Sequence, residues 1–316
     1  MLLVTGGTGF IGSHLLERIG RPARALVRRR AVRLPEGIEA APGDLVSGAG
    51  LEEALDGVDT IIHLAGTTKA LRKGDYYDGN VRAAENLARA AAGRGIHFVH
   101  VSSLAAAGPS RDGAPVREDD GERPVSEYGR SKLEGERAVR ARLPEAVIVR
   151  PPVVYGPRDT DVFQFLKSVS RGVWLEVAGG PRWFSSIYVE DLVEGLLAAA
   201  GARQAAGRTY FLSHAKACTW GEFADTAARL LGTRARRAPL PAAAAWAAAY
   251  GAEMWARATG RPGILSRDKI AEARCRYWTC DASRAASELG FQARTSLDDG
   301  LARTLAWYKE AGWLSR

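Results

Sequence analysis

The sequence predicts an α/β protein, a doubly wound parallel sheet followed by a smaller C-terminal α/β lobe. Three observations predict it. The apolar strand Leu2-Leu3-Val4-Thr5 runs straight into the glycine-rich turn Gly6-Gly7-Thr8-Gly9 and then into the amphipathic stretch Phe10-Ile11-Gly12-Ser13-His14-Leu15-Leu16. Through residue 150, short apolar runs alternate with helical stretches at the rhythm of βαβ units. With 316 residues, 46% of them apolar, the chain can bury one large core or two cooperating ones.

Strands are expected at 1–5, 24–28, 59–64, 96–102 and 146–150. Helices at 10–19, 49–55, 78–93 and 126–141 separate them, which implies parallel strands joined by right-handed crossovers. Past Pro157 the pattern loosens, with a helix near 161–171, short strands near 173–177 and 208–213, and a helix from Glu190. Thr219 with Glu222 reads as a capping box opening a helix over 220–231. Pro239 and Pro241 precede an alanine-rich helix over about 242–259, and a last helix near 296–309 follows Leu289-Gly290-Phe291. The expected division is a dinucleotide-binding (Rossmann) domain over 1–157, with contributions from about 185–213, and a mainly substrate-binding lobe over 158–316.

The chemistry is carried by three landmarks. Gly6 permits a tight turn, Gly9 lets backbone approach a pyrophosphate, and Gly12 lets the new helix pack close to the strand, so phosphates meet helix N-terminal N–H groups. A plain tight turn before a helix would use the same residues. Further on, Tyr128-Gly129-Arg130-Ser131-Lys132 places Tyr128 and Lys132 on one helix face, where an ammonium stabilises a tyrosinate. Between them, Val99-His100-Val101-Ser102-Ser103-Leu104 is an apolar strand ending in two hydroxyls, and strand ends are where open α/β sheets place their sites. Reducing a ketone builds negative charge on oxygen, so a proton donor must stand there. Tyr128 is that donor. His63 reads as a packed strand residue.

In order and spacing these motifs resemble the extended branch of the short-chain dehydrogenase/reductase superfamily, the NAD-dependent epimerases, dehydratases and 3β-hydroxysteroid-type dehydrogenases. Gly43-Asp44-Leu45, His63-Leu64-Ala65-Gly66, Asn80-Val81, Arg150-Pro151-Pro152-Val153-Val154-Tyr155-Gly156-Pro157 and Tyr188-Val189-Glu190-Asp191-Leu192 extend the resemblance over nearly the whole chain. It implies that Lys132 hydrogen-bonds the nicotinamide ribose and that Ser103, five residues before Gly108, holds the substrate oxygen. It also implies a cofactor lying along Gly6, Thr8, Gly9, Phe10, Ile11 and Gly12, with Asp44 and Leu45 at the adenine. Leu64, Ala65 and Gly66 would meet ribose and pyrophosphate, Val101 and Ser102 would line the strand end, and Pro151 and Val153, at the end of the sixth strand, would flank the nicotinamide. Asn80 opens the fourth helix, as a support for this constellation or as an ordinary helix-start residue.

Arg28 stands where an NAD-specific site would place a carboxylate for the adenosine ribose, and no acidic residue appears between it and Glu36. A guanidinium there suits a 2′-phosphate, so NADP(H) is favoured over NAD(H). The alternative is a solvated strand-end cation in an enzyme that uses both. No metal site is expected.

Departures from the family narrow the substrate. Leu104-Ala105 replace the Asp-Glu of sugar dehydratases after the catalytic hydroxyl. Val153 replaces an asparagine typical of UDP-sugar epimerases, and Ala273-Arg274-Cys275-Arg276 offers no Arg-x-Gly-Asp. What remains resembles the 3β-hydroxysteroid dehydrogenase and dihydroflavonol-reductase-like group, through Gly260-Arg261-Pro262-Gly263-Ile264-Leu265-Ser266-Arg267-Asp268 and Tyr277-Trp278-Thr279-Cys280-Asp281. The expected function is hydride transfer between NADP(H) and a ketone or secondary alcohol on a largely apolar small molecule. A nucleotide-sugar epimerase with tightly bound cofactor is the alternative, and a non-catalytic dinucleotide-binding regulator a third reading. The large side chains Trp246, Tyr250, Met254 and Trp255 read as a buried helix stripe, or else as a lid or a face lying on lipid. Trp174, Trp183, Phe184 and Tyr188 fit a core or a cleft equally.

The net charge of +8 comes from arginine, since only seven of the 44 basic residues are lysine. Arg28-Arg29-Arg30 and Arg234-Ala235-Arg236-Arg237 suit solubility or a phosphate-rich cofactor; no nucleic-acid module accompanies them, so no nucleic-acid partner is expected. Cys218, Cys275 and Cys280 are scattered without metal-ligand spacing, as in a reducing cytoplasm. Because the sequence opens on its first strand, no leader is expected. No apolar run nears the ~20 residues that span a bilayer. A soluble cytoplasmic protein is expected, with surface association and a homodimer left open.

Overall fold

The computed structural model describes residues 1–28, 33–177, 180–260, 263 and 265–314. Arg29 and Arg30 of the basic cluster, and Arg261, Pro262 and Ile264 of the 260–268 segment, lie outside the described residues. The strands are β1 (Leu2–Thr5), β2 (Ala23–Val27), β3 (Ile38–Pro42), β4 (Thr60–His63), β5 (His97–Val101), β6 (Val147–Val149), β7 (Val153–Tyr155), β8 (Val173–Val177), β9 (Trp183–Phe184), β10 (Ser186–Tyr188), β11 (Thr209–Tyr210), β12 (Cys218–Thr219), β13 (Arg236–Leu240) and β14 (Tyr277–Trp278). Seven of them form the central sheet in the order β11-β6-β5-β4-β1-β2-β3, every neighbouring pair parallel.

The helices are α1 (Phe10–Arg18), α2 (Leu51–Ala54), α3 (Lys73–Tyr77), α4 (Ala83–Ala91), α5 (Leu104–Ala107), α6 (Glu127–Arg142), α7 (Asp161–Ser170), α8 (Val189–Gly201), α9 (Trp220–Leu231), α10 (Ala242–Thr259), α11 (Arg267–Arg274), α12 (Ser283–Leu289) and α13 (Leu297–Glu310). Successive strand side chains point to opposite faces, and both faces of this sheet are covered. Leu2 and Val4 join Leu15 and Leu16 of α1 and Leu192 and Leu196 of α8 in one core. Leu3 joins Leu51 of α2, Leu87 of α4 and Val139 of α6 in the other. That double burial explains why β1 is apolar without alternation.

Three differences from the sequence reading have simple causes. Strand β3 was not expected, because Ile38-Glu39-Ala40-Ala41-Pro42 holds one large apolar residue; it lies at the sheet edge, where Pro42 withholds no needed ladder donor. The helix expected over 78–93 begins earlier, as α3 followed by a π-helical turn over Asp78–Arg82. Asn80 therefore sits inside a helical run and does not open it. Val153 does not end the sixth strand either: it opens β7, which leaves the central sheet and pairs with β10.

A third core, beyond the two that flank the sheet, gathers Tyr155, Phe163, Leu166, Phe223, Leu301 and Tyr308 from α7, α9, α13 and the short strands. Trp174, Phe184 and Tyr188 are buried in it, while Trp183 is exposed. The capping box forms as expected: Glu222 N donates to Thr219 Oγ1 (3.1 Å) and Thr219 N to Glu222 Oε2 (2.7 Å). Helix α10 reverses the expectation of a buried aromatic stripe. Its buried positions are Ala245, Ala249 and Ala256; Trp246 packs half-buried beside them, and Tyr250, Met254 and Trp255 are exposed, because small residues let α10 approach its neighbour α11 closely. Among the described residues, no helix is long and apolar enough to cross a membrane.

Candidate active site

The glycine turn joins β1 to α1 at the C-terminal edge of the sheet. Gly6 has φ +71°, and a Cβ there would stand 2.6 Å from the backbone nitrogen of Ala65. A Cβ on Gly12 would stand 2.2 Å from Gly6 O, so α1 packs against the turn at backbone contact. Gly9 supplies no side-chain cap and the first turn of α1 carries no acidic residue, which leaves the positive end of the helix dipole uncompensated. Thr8 and Gly9 are exposed and Phe10 and Ile11 half-buried, so the turn presents an accessible edge.

Arg28 follows β2 and is exposed. It stands near enough to Asp44 for its charge to help hold that carboxyl below its usual range, after the hydrogen bond from Ser47 N (2.7 Å). The Asp44-Leu45 loop is tied to α4 by Asn86, whose amide donates to Leu45 O (2.9 Å). At the end of β4, Leu64 and Ala65 are half-buried and Gly66 is exposed. Thr5 Oγ1 meets His63 Nδ1 at 2.6 Å, and burial drives the His63 pKa down to about 3, so this ring is a neutral packed residue.

Ser103, Tyr128 and Lys132 come together with Asn80 and Gly66. Lys132 Nζ donates to Val101 O (2.8 Å), and a Cβ on Gly66 would stand 3.6 Å from that nitrogen. Burial lowers the Lys132 pKa to about 8. The same Cβ would meet Asn80 Oδ1 at 2.8 Å. Asn80 is held by Thr67 N, Thr67 O and Ser131 Oγ at 2.8, 3.0 and 2.8 Å, so the π-helical turn pins the β4 loop to the Tyr128 helix. Ser103 caps α5 and its Oγ accepts from Ala105 N (3.1 Å). Ser102 Oγ is buried, without a hydrogen-bond partner among the described residues. Pro151 O accepts from Leu104 N (2.9 Å), which places the turn after β6 beside both serines. Val153, two residues on, is half-buried. Burial raises the Tyr128 phenol above its ordinary value, opposed by the Lys269 ammonium and by a hydrogen bond with Ser103.

Asp268, Lys269 and Glu272 of α11 also reach this site, and sequence reasoning missed them. No local pattern marks them, since they lie some 140 residues from Tyr128 in the chain. Beside them, a cavity of about 1000 Å³ opens between α3, the start of α6, α10 and α11, its walls including Leu71, Tyr76, Val125, Trp246 and Leu265.

Residues 2–212 match the model of the NAD dependent epimerase/dehydratase family. The chain belongs to this family. A ceramide reductase from Caulobacter vibrioides is 32% identical over all of this chain and 96% of its own length. An N-acetyl-alpha-D-glucosaminyl-diphospho-ditrans,octacis-undecaprenol 4-epimerase from Escherichia coli O157:H7 is 26% identical, over 97% of this chain and 94% of its own. The solved structure of MoeE5 in complex with UDP-glucuronic acid and NAD superimposes with a TM-score of 0.78 at 27% identity, covering 98% of this chain and 99% of that one. The epimerase/dehydratase family thus joins reductases and epimerases on one NAD-binding fold.

Proposed function

We propose that the protein is an oxidoreductase transferring hydride between NADP(H) and a ketone or secondary alcohol on a largely apolar small molecule, with ceramide-type lipids the first class to test. The observation that carries this reading is the meeting of Ser103, Tyr128 and Lys132 at the ends of β4 and β5. The full-length similarity to a ceramide reductase supports the substrate class, because it includes the lobe that selects substrate.

The bare α1 terminus and the exposed glycine edge fit a dinucleotide pyrophosphate. In this reading residues 1–157, with about 185–213, hold the cofactor and 158–316 mainly bind substrate in a cytoplasmic enzyme. Gly6 through Gly12 would cradle the phosphates, Asp44 and Leu45 would meet the adenine, and Leu64, Ala65, Gly66, Asn80, Val101, Ser102, Pro151 and Val153 would line the path to the nicotinamide. When bound, the nicotinamide supplies or accepts the hydride. Tyr128 gives its phenolic proton to the substrate oxygen as negative charge develops there, and Ser103 holds that oxygen by a hydrogen bond. The Lys132 ammonium favours the phenolate left behind and anchors the cofactor ribose.

Arg28 supports NADP(H) through a charge-assisted contact to a 2′-phosphate. Losing such a contact costs about 1.5–3 kcal/mol, so Arg28→Ala is expected to weaken NADPH binding more than tenfold in a fluorescence titration and to leave NADH unchanged. Equal affinities in the parent protein would remove the cofactor preference.

A second reading, nucleotide-sugar epimerisation, is favoured by the similarity to MoeE5 with its UDP-sugar acid. Against it, Val153 and Ala273-Arg274-Cys275-Arg276 leave a nucleotide diphosphate without the family's usual grips, and burying its charges unpaired is prohibitive. NADPH oxidation with a ketone form of ceramide, alongside calorimetry with UDP-sugars, separates the two. The expected result is NADPH consumption without micromolar UDP-sugar binding. The reverse result would make the protein an epimerase.

A further inference from the structure

Helix α11 is seated on the first turn of α6 by contacts between residues far apart in sequence. The Asp268 carboxylate accepts the backbone N–H groups of Glu127 (2.7 Å) and Tyr128 (3.2 Å), two of the donors that an α-helix leaves without intrahelical partners. Ser126, the cap of α6, donates its hydroxyl to Glu272 Oε1 (2.6 Å). Between those two acids stands Lys269. Its ammonium pairs with Glu272 (2.9 Å) and lies 5.3 Å from the centroid of the Tyr128 ring. Lys132 Nζ donates to Val101 O, and the ammonium that lies over the Tyr128 ring is that of Lys269 on α11.

We propose that Lys269 is a positioning residue for Tyr128: α11 delivers its ammonium to the ring, where it favours the phenolate, and Asp268 and Glu272 hold it in register. This inference rests on the reading of Tyr128 as the proton-transfer group. The consequence is that docking of α11 and readiness of Tyr128 are coupled, since this second ammonium, beside that of Lys132, arrives only when Asp268 caps α6.

The charged and titratable groups around the ring oppose one another. From α11 come Asp268, Lys269 and Glu272; α6 adds Glu127 and Lys132; α3 adds Tyr76, whose ring centroid is 6.1 Å away; α7 adds Asp161, itself paired with Lys69. Lys269 lowers the Tyr128 pKa, and Glu272 and Asp161 raise it. A cation within ~4–6 Å moves an acid by roughly one to three units, and the partly exposed Lys269 side chain puts the effect at the lower end.

The test is an ultraviolet titration of tyrosinate absorbance in the full-length protein, with the Tyr128→Phe signal subtracted in each background to isolate Tyr128. Lys269→Met is expected to raise the Tyr128 pKa by about one unit, Lys269→Arg to restore it, and Glu272→Gln to shift it downward by removing a carboxylate that raises it. The alkaline or acidic limb of kcat/KM that reports Tyr128 should move with it. A merely structural role for α11 would move Lys269→Met and Glu272→Gln in the same direction. That outcome, or no upward shift in Lys269→Met, overturns the proposal. Lys269→Gln, which removes the charge and keeps a polar side chain, gives the same reading should Lys269→Met fail to fold, an unchanged or lowered pKa counting against the proposal. Retained turnover in Tyr128→Phe would instead defeat the reading of Tyr128 as proton donor, while the titration still measures what Lys269 does to the phenol.

Discussion

Replacing Gly12 by alanine puts the glycine turn between β1 and α1 under direct strain. The new Cβ would stand 2.2 Å from Gly6 O, 2.7 Å from Gly7 Cα and 2.8 Å from Gly6 C. All three are backbone atoms of the turn, so no side chain can swing aside, and α1 must retreat by roughly 1 Å to restore ordinary contact. Overpacking of this kind costs about 1–3 kcal/mol, and alanine returns up to about 1 kcal/mol through its better helix propensity. A net loss of about 1–2 kcal/mol is therefore expected in urea unfolding. Cofactor affinity should fall further, because the N–H groups of α1 move away from the phosphates they are proposed to hold. A loss of more than tenfold is expected by fluorescence titration, equivalent to about 1.4 kcal/mol. Stability within about 0.5 kcal/mol of the parent together with unchanged affinity would refute the argument, since it would mean that the close helix-to-turn approach has no energetic consequence.

Three further perturbations test separate parts of the molecule. Tyr128→Phe should cut turnover by about 10²–10⁴-fold while sparing cofactor binding, because general acid–base groups contribute that much and the ring remains; turnover above a tenth of the parent's in steady-state assays would argue for another proton donor. Arg150 is buried and grips both oxygens of the buried Glu136 at 2.9 and 2.6 Å, so Arg150→Met should destabilise by about 3–5 kcal/mol in urea unfolding, and adding Glu136→Leu should recover most of it. Burial raises the Asp159 pKa to about 6, above its unfolded value near 4. The native state then binds more protons than the unfolded chain between about pH 4 and 6, so the stability from this group is fully present below pH 4 and is lost as pH rises through 6. The advantage of the parent over Asp159→Asn should shrink by about 1–3 kcal/mol from pH 4 to 7; a flat difference across that range would show that Asp159 titrates normally.

The local parts of the site are legible in the sequence. Gly6, Gly9 and Gly12 announce a turn at which backbone must approach backbone, and the structure places Gly12 at contact distance from Gly6. Six of the seven central strands are marked by apolar runs, because a strand buried on both faces has no room for polar alternation. Strand β3 escaped notice, since an edge strand needs few apolar residues to hold its place.

Tertiary packing settled the remainder. That Asn80 bolts the β4 loop to α6 follows from a π-helical turn whose register no periodicity announces. That Tyr250, Met254 and Trp255 of α10 lie outward, while Trp246 packs half-buried on the inner face, follows from the alanines that pack inward instead, a choice made by closeness of approach and invisible to hydrophobicity alone. The clearest case is Lys269. Ser103 is near Tyr128 through one crossover of the sheet and Lys132 is near it through one turn of helix, relations that chain geometry imposes. Lys269 arrives from beyond the third core, carried by α11 onto helix donors that any acceptor could have capped. Sequence patterns report periodicities within an element, whereas the pairing of two elements so far apart is selected by the fit of their surfaces in the folded chain.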